Sequence, residues 1–242
     1  MIRVFLKEFN SFLNSLIAYV VISVFLTSMG LLMWVFPATS VLDYGYADLD
    51  SLFSFGPYVF IFLIPAITMR SFAEEKKLGT MELLLTKPIT DFQLVVGKYL
   101  ASVMLVLLAL LPTVIYYFSV FALGNPVGNV DTAGVIGSYI GLILLSMVFC
   151  SIGIFSSSLT SNQIISFILS AFLCFIFYTG FDSLSSLTVF QPVAFEVKQM
   201  GILAHYESLS RGLLDSRDIV YLLSLSAFGL IVTKTVISSR SW

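Results

Sequence analysis

Nine charged residues crowd into residues 70–98: Arg70, Glu74, Glu75, Lys76, Lys77, Glu82, Lys87, Asp91 and Lys98. The 242-residue chain has only 12 basic and 14 acidic side chains in all, so a short insert carries a large share of its charge. Four carboxylates and five cations at this density suit ion pairing with a water-facing partner. Nothing suggests a soluble catalytic domain, because no polar stretch exceeds about 40 residues and a domain usually needs about 50 or more. Gly97-Lys98 is followed by Tyr99 and lacks the upstream glycine of a phosphate-binding loop, so the chain is not expected to bind ATP by that motif. The one histidine, His205, has no neighbours in sequence that would make a metal or catalytic site and reads as a surface residue. Cys150 and Cys174 lie in apolar runs and read as small packing residues rather than a disulfide or a metal pair.

The elements that must position this insert are membrane spans. The chain is 58% hydrophobic and 11% charged, with a mean hydropathy of +1.01, whereas soluble domains carry about 25% charged residues. A hydrocarbon core of about 30 Å needs about 20 helical residues. Six stretches qualify: 16–36, 53–69, 99–122, 135–156, 163–181 and 219–237. The second is short and is expected to extend upstream or tilt little. Pro65 and Pro112 should kink or locally open the second and third spans. No Asp, Glu, Arg or His falls inside these stretches, and Lys234 lies only at the end of the last. Ionisable residues in mid-membrane mark proton relays and ion-coupled transport, so their absence argues against a proton- or sodium-driven transporter and against an intramembrane hydrolase. The first stretch is too long for the core of a signal peptide and reads as uncleaved.

Within the insert, Gly79 breaks the charged run. Thr80 is placed to cap a short helix, with Glu82 in its first turn and Leu83, Leu84 and Leu85 following. Lys87-Pro88 ends it. Thr90-Asp91-Phe92-Gln93 is a capping box that opens the next helix, which runs into the third span with Lys98 expected to snorkel to the headgroups. Spacing alone fits an interfacial helix on anionic lipid as well as a docking element; the balance of acidic and basic charge favours docking.

The run Glu74-Glu75-Lys76-Lys77-Leu78-Gly79-Thr80-Met81-Glu82-Leu83-Leu84-Leu85-Thr86-Lys87-Pro88-Ile89-Thr90, with Gly97-Lys98-Tyr99, resembles the signature of type-2 ABC exporter permeases. Phe5-Leu6-Lys7-Glu8-Phe9 is similar to that family's amphipathic N-terminal helix, and residues 211–218 resemble the entry to its sixth helix. Residues 34–45, 64–75 and 124–129 carry a narrower resemblance, to permease subunits of gliding-motility ABC transporters.

The resemblance implies an all-α polytopic membrane protein forming one domain over residues 1–242. It would have an interfacial helix at 1–15, six transmembrane helices, a cytoplasmic coupling helix in the segment 70–98 between spans two and three, and an external loop at 182–218 between spans five and six. The loop would fold as short helices that dip into the outer leaflet and cap the pathway. The implied coupling residues are Glu74, Glu75, Lys76, Gly79, Thr80, Glu82, Leu83, Leu84, Leu85, Lys87 and Pro88. The implied partners are an ABC ATPase subunit, which would bind the ATP and Mg that this chain does not, a second permease subunit, identical or different, and the lipid bilayer; no nucleic acid is expected. Other function classes open to the sequence are an ATPase-independent secondary transporter or channel, and a non-transporting membrane scaffold for motility or secretion machinery. Gly137 and Gly141 form a small-xxx-small pattern of the kind that lets helices approach closely or dimerise.

Basic residues set the expected orientation. Arg3, Lys7, Arg70, Lys76, Lys77, Lys87, Lys98, Lys234 and Arg240 flank one side, against Lys198, Arg211 and Arg217 on the other. Both termini and the charged insert are therefore expected in the cytoplasm of a bacterial inner membrane. Reporter fusions after Asp43, Asp131 and Lys198 should read external, and fusions at Lys77 and at the C-terminus internal. An external signal at Lys77 would invert the assignment.

Overall fold

The computed structural model describes residues 1–81 and 89–239. Every regular element among them is helical. Six helical stretches are long and apolar enough to cross a membrane: Leu16–Trp34, Asp50–Lys77, Asp91–Leu123, Thr132–Leu159, Gln163–Ser185 and Ser216–Ser238. In hydrocarbon a helix satisfies its own backbone hydrogen bonds, so an apolar chain of this length has few other solutions. The second span begins at Asp50, upstream of its apolar run, which resolves its apparent shortness. Pro65 lies in an uninterrupted α-helix, Asp50–Thr68. Pro112 instead marks a 3₁₀ turn, Leu111–Thr113, that divides the third span.

The fourth span is the hub. It packs against the second, third, fifth and sixth spans and against helix Ile202–Ser210. Spans two, three and four have 61%, 67% and 61% of their most apolar windows buried, while spans one, five and six have 28%, 22% and 22%. The first group therefore makes the core, and the second presents wide apolar faces to its surroundings. Phe25, Phe60, Leu142, Phe149 and Tyr178 meet in that core. A single π turn, Ile176–Gly180, interrupts the fifth span. It carries Tyr178 to edge-on contact with Phe149 and Tyr206. Cys150 and Cys174 are buried and free.

The N-terminal helix, Ile2–Leu13, lies along the start of the third span. Its Ile2 and Leu6 remain exposed. Ser238 at the end of the sixth span donates from Oγ to Asp91 Oδ2 at 2.8 Å, so the sixth span ends on the face that carries the N-terminal helix and the charged insert.

On the opposite face, residues 182–218 fold mostly into short helices: the end of Phe181–Ser185, then Thr188–Val193, Ala194–Gln199 and Ile202–Ser210. The last one buries Ile202, Tyr206 and Leu209, and Tyr206 donates its hydroxyl to the Phe53 carbonyl at 2.7 Å. One sequence expectation changes here, and one open choice is decided. His205 is not a free surface residue: its side chain is only 13% exposed and is engaged on several sides. Gly137 and Gly141 serve packing within the chain. A Cβ on Gly141 would stand 2.6 Å from Leu209 Cβ, and one on Gly137 would stand 2.6 Å from the Gly212 carbonyl oxygen.

Close approach at Gly141 is what seats helix Ile202–Ser210 on the fourth span. Gly141→Val should therefore overpack the contact at a cost of about 1–3 kcal/mol. For a chain of this size that corresponds to roughly 2–4 °C of melting temperature per kcal/mol. A thermal melt in detergent checks this, and an unchanged midpoint would show that the contact is not made.

Candidate functional site

The charged insert is built onto the ends of several helices. The second span gives way to a turn at Met69–Phe72 and then to the short helix Ala73–Lys77. That helix closes with Leu78 at its C-cap and Gly79 at φ +68°. Thr80 N–H returns to Glu75 O at 3.0 Å and Gly79 N–H to Lys76 O at 3.3 Å, the two bonds of a Schellman motif. A left-handed residue is required there, which is why the break expected at Gly79 falls on that residue. At the far end, Thr90 Oγ1 accepts from Gln93 N–H at 3.3 Å and Thr90 N–H donates to Gln93 Oε1 at 3.4 Å. The predicted capping box therefore opens helix Asp91–Leu110.

Lys98 departs from expectation. Its side chain is 1% exposed, and its ammonium does not reach for headgroups. It donates to Ser71 O at 2.7 Å and to Glu75 Oε1 at 2.8 Å, and lies 3.1 Å from Glu8 Oε1. Two of the three ammonium donors are taken by these hydrogen bonds, and the Glu8 carboxylate adds an ion pair. The Phe72 ring lies beneath it at 5.1 Å. Lysine can snorkel only where water or headgroups are the nearest acceptors; here two carboxylates and a carbonyl are nearer. The three acceptors come from three segments: Glu8 from the N-terminal helix, Ser71 from the turn, and Glu75 from the short helix.

Ser157 makes the second tie. Its Oγ accepts from Phe72 N–H at 2.9 Å and Ala73 N–H at 3.1 Å, and donates to Met69 O at 3.0 Å. A hydroxyl has one donor and two acceptor sites, and all are used to satisfy backbone groups left open where the second span ends. Lys76 adds a contact to the Ser158 carbonyl. Below, Phe72, Met81, Leu94, Val95, Ile154 and Ile237 form a small separate core, joining the insert to spans three, four and six.

The predicted coupling residues therefore divide. Glu74 pairs with Arg70 through two bonds of 2.8 and 2.9 Å. Glu75 and Lys76 bond within the chain, and Gly79 shapes the turn. Thr80 is half-buried beside it. Glu82, Leu83, Leu84, Leu85, Lys87 and Pro88 lie outside the described residues. Glu8, Lys98 and Ser157 are structural partners of the insert that sequence reading missed. Glu8 and Ser157 are 62 and 59 positions or more away from residues 70–98 in sequence, and no local periodicity marks them; Lys98 carried the signal of a charge at the mouth of an apolar run. A cavity of about 340 Å³ opens beside the cluster, lined in part by Lys7, Glu8, Arg70, Ser71, Glu75 and Lys98. Glu75 Oε2 and Ser71 Oγ, both buried, have no hydrogen-bond partner among the described residues.

Removing the cation should expose the dependence. Lys98→Met leaves Glu8 and Glu75 with only the exposed Lys7 ammonium, 3.4 and 3.7 Å away, to balance them, and breaking a buried pair in this way costs about 3–5 kcal/mol. The triple variant Lys98→Met, Glu8→Gln, Glu75→Gln should recover most of that loss. Thermal stability in detergent reads both. A single variant as stable as the parent would show that the cluster holds nothing together.

Comparison with known proteins agrees with this architecture. A family model described as ABC-2 family transporter protein matches residues 2–236. No curated protein matches the chain. Six apolar helices, a multi-pass arrangement and a family match across nearly the whole length lead to one conclusion: the chain belongs to the ABC-2 transporter family, as a permease subunit of an ABC transporter.

Proposed function

We propose that this permease couples ATP hydrolysis by a separate ABC ATPase to work in the membrane through the segment 70–98, with both termini and that segment in the cytoplasm of a bacterial inner membrane. The observation that carries the proposal is the double tie of the insert. Lys98 joins it to the N-terminal helix and the third span, and Ser157 joins it to the fourth. A force applied at the insert would reach several spans as one body rather than dissipating in a free loop. ATP and Mg belong to the partner, and a second permease subunit, identical or different, completes the pathway. The wide apolar faces of spans one, five and six leave room for that subunit.

The internal pairing of Glu74 and Glu75 refines which residues would meet the ATPase. These two hold the platform. The docking surface falls to residues 80–86 with Glu82 and the three leucines, and to Leu78 and Lys77, which stand exposed at the helix end. Resemblance at residues 34–45, 64–75 and 124–129 extends the proposal to a transporter serving gliding-motility machinery.

Truncating one partner of a desolvated charge pair costs about 2–5 kcal/mol, and rim charges far less. Glu82→Lys or Leu84→Asp should therefore sharply reduce co-purification of the ATPase while membrane insertion is kept. Loss of binding to anionic liposomes with full retention of the ATPase would establish a lipid-surface role instead. A change in neither would make the segment a linker.

A further inference from the structure

His205 sits at the centre of a clasp on the face opposite the N-terminal helix. Its Nδ1 is 2.7 Å from Asp218 Oδ1, and its Nε2 is 2.9 Å from the Gln199 carbonyl oxygen. Its ring lies on the Tyr221 ring, with centroids 3.9 Å apart and planes 23° from parallel. Tyr221 donates its hydroxyl to Met200 O at 2.6 Å, tying the same corner from the other side. Asp218 also receives the Ser208 hydroxyl on Oδ2. Three segments meet at one imidazole: the end of helix Ala194–Gln199, helix Ile202–Ser210, and the first turns of the sixth span.

Both atoms facing the ring nitrogens are oxygens with nothing to donate, one a carboxylate and the other a carbonyl. A neutral imidazole has one N–H and one lone pair. In either tautomer one nitrogen would point its lone pair at an oxygen lone pair. Only the imidazolium, with two N–H groups, makes both bonds, and its charge also favours the Tyr221 ring face beneath it. The surrounding charges are few. Glu207 on the same helix lies 3.9 Å from Lys198, which also pairs with Asp182 at 3.2 Å, and Asp218 is the carboxylate in contact with the ring.

We propose that His205 is a proton-operated clasp, which when doubly protonated fastens the short helices of residues 194–210 to the head of the sixth span and which loosens as the pH at this face rises. Histidine is the side chain whose charge changes in the physiological range. The sign follows from the bonds: the protonated form makes two and the neutral form one, so the fastened state belongs to low pH. The inference does not depend on which compartment this face meets, nor on the coupling role of the opposite face.

The chain contains one histidine, so ¹⁵N-histidine labelling of the full chain in nanodiscs reports His205 alone. Below its titration, two hydrogen-bonded N–H signals are expected. Over the same pH range, hydrogen exchange of residues 194–210, corrected for intrinsic rates, should quicken roughly tenfold on deprotonation, as expected for loss of a charge-assisted bond. His205→Phe keeps an aromatic ring against Tyr221 and should show no such pH step. A single-tautomer neutral ring throughout the range, exchange that does not change with pH, or the same step persisting in His205→Phe would each overturn the proposal.

Discussion

The Lys98 ammonium is the constraint around which the N-terminal face is arranged. A buried cation is tolerable only when its hydrogen-bond donors are filled and its charge is balanced. Two hydrogen bonds at 2.7 and 2.8 Å and an ion pair at 3.1 Å require oxygens on three segments to converge on one point. The N-terminal helix must then lie against the third span, the turn after the second span must bend back, and helix Ala73–Lys77 must present Glu75 inward. Close approach follows as well: a Cβ on Gly97 would stand 2.9 Å from Val4 Cβ, so the two helices touch nearly backbone to backbone where the cluster draws them together. Such a cluster adds little net stability compared with an apolar core of the same volume. Its effect is to specify one arrangement.

The spans themselves are held differently. Without a water-driven hydrophobic force between helices in lipid, association depends on packing and on hydroxyls that satisfy themselves. Ser102, Ser138, Ser156, Ser226 and Thr233 all return their hydroxyls to the carbonyl four residues earlier. They remain small, so a neighbouring helix can pack over them, and Ser138 also reaches the Ser210 carbonyl across the contact at 2.8 Å. Gly153 shows the limit of this approach: a Cβ there would overlap Thr68 Oγ1 at 2.0 Å. The middle of the structure therefore runs on shape, and the charged chemistry is displaced to the two faces.

Those faces share a device. On one, an ammonium gathers three acceptors; on the other, an imidazole reaches two acceptors and an aromatic ring. In both, a side chain with nitrogen donors closes a junction between separate helices. The imidazole can lose its charge, which suits a fastening that opens.

Much of the fold was legible in the residues alone, because the spans follow from unbroken apolar runs long enough to cross lipid, and the helix boundaries at Gly79 and Thr90 follow from local backbone chemistry. Glycine takes the left-handed conformation, and threonine three residues before glutamine caps a helix; both rules act within a few residues and need no knowledge of the rest. The partners of Lys98, Ser157 and His205 were not legible in this way. A lysine at the mouth of an apolar run snorkels or is buried according to what lies nearest to it, and the nearest groups, Glu8 and Glu75, belong to other segments. His205 likewise owes its engagement to Asp218 and Tyr221, set beside it only when the sixth span returns. Length, hydropathy and capping are properties of neighbours along the chain, and the sequence by itself determined them; the pairing of charges is a property of neighbours in space, and only the tertiary structure decided it.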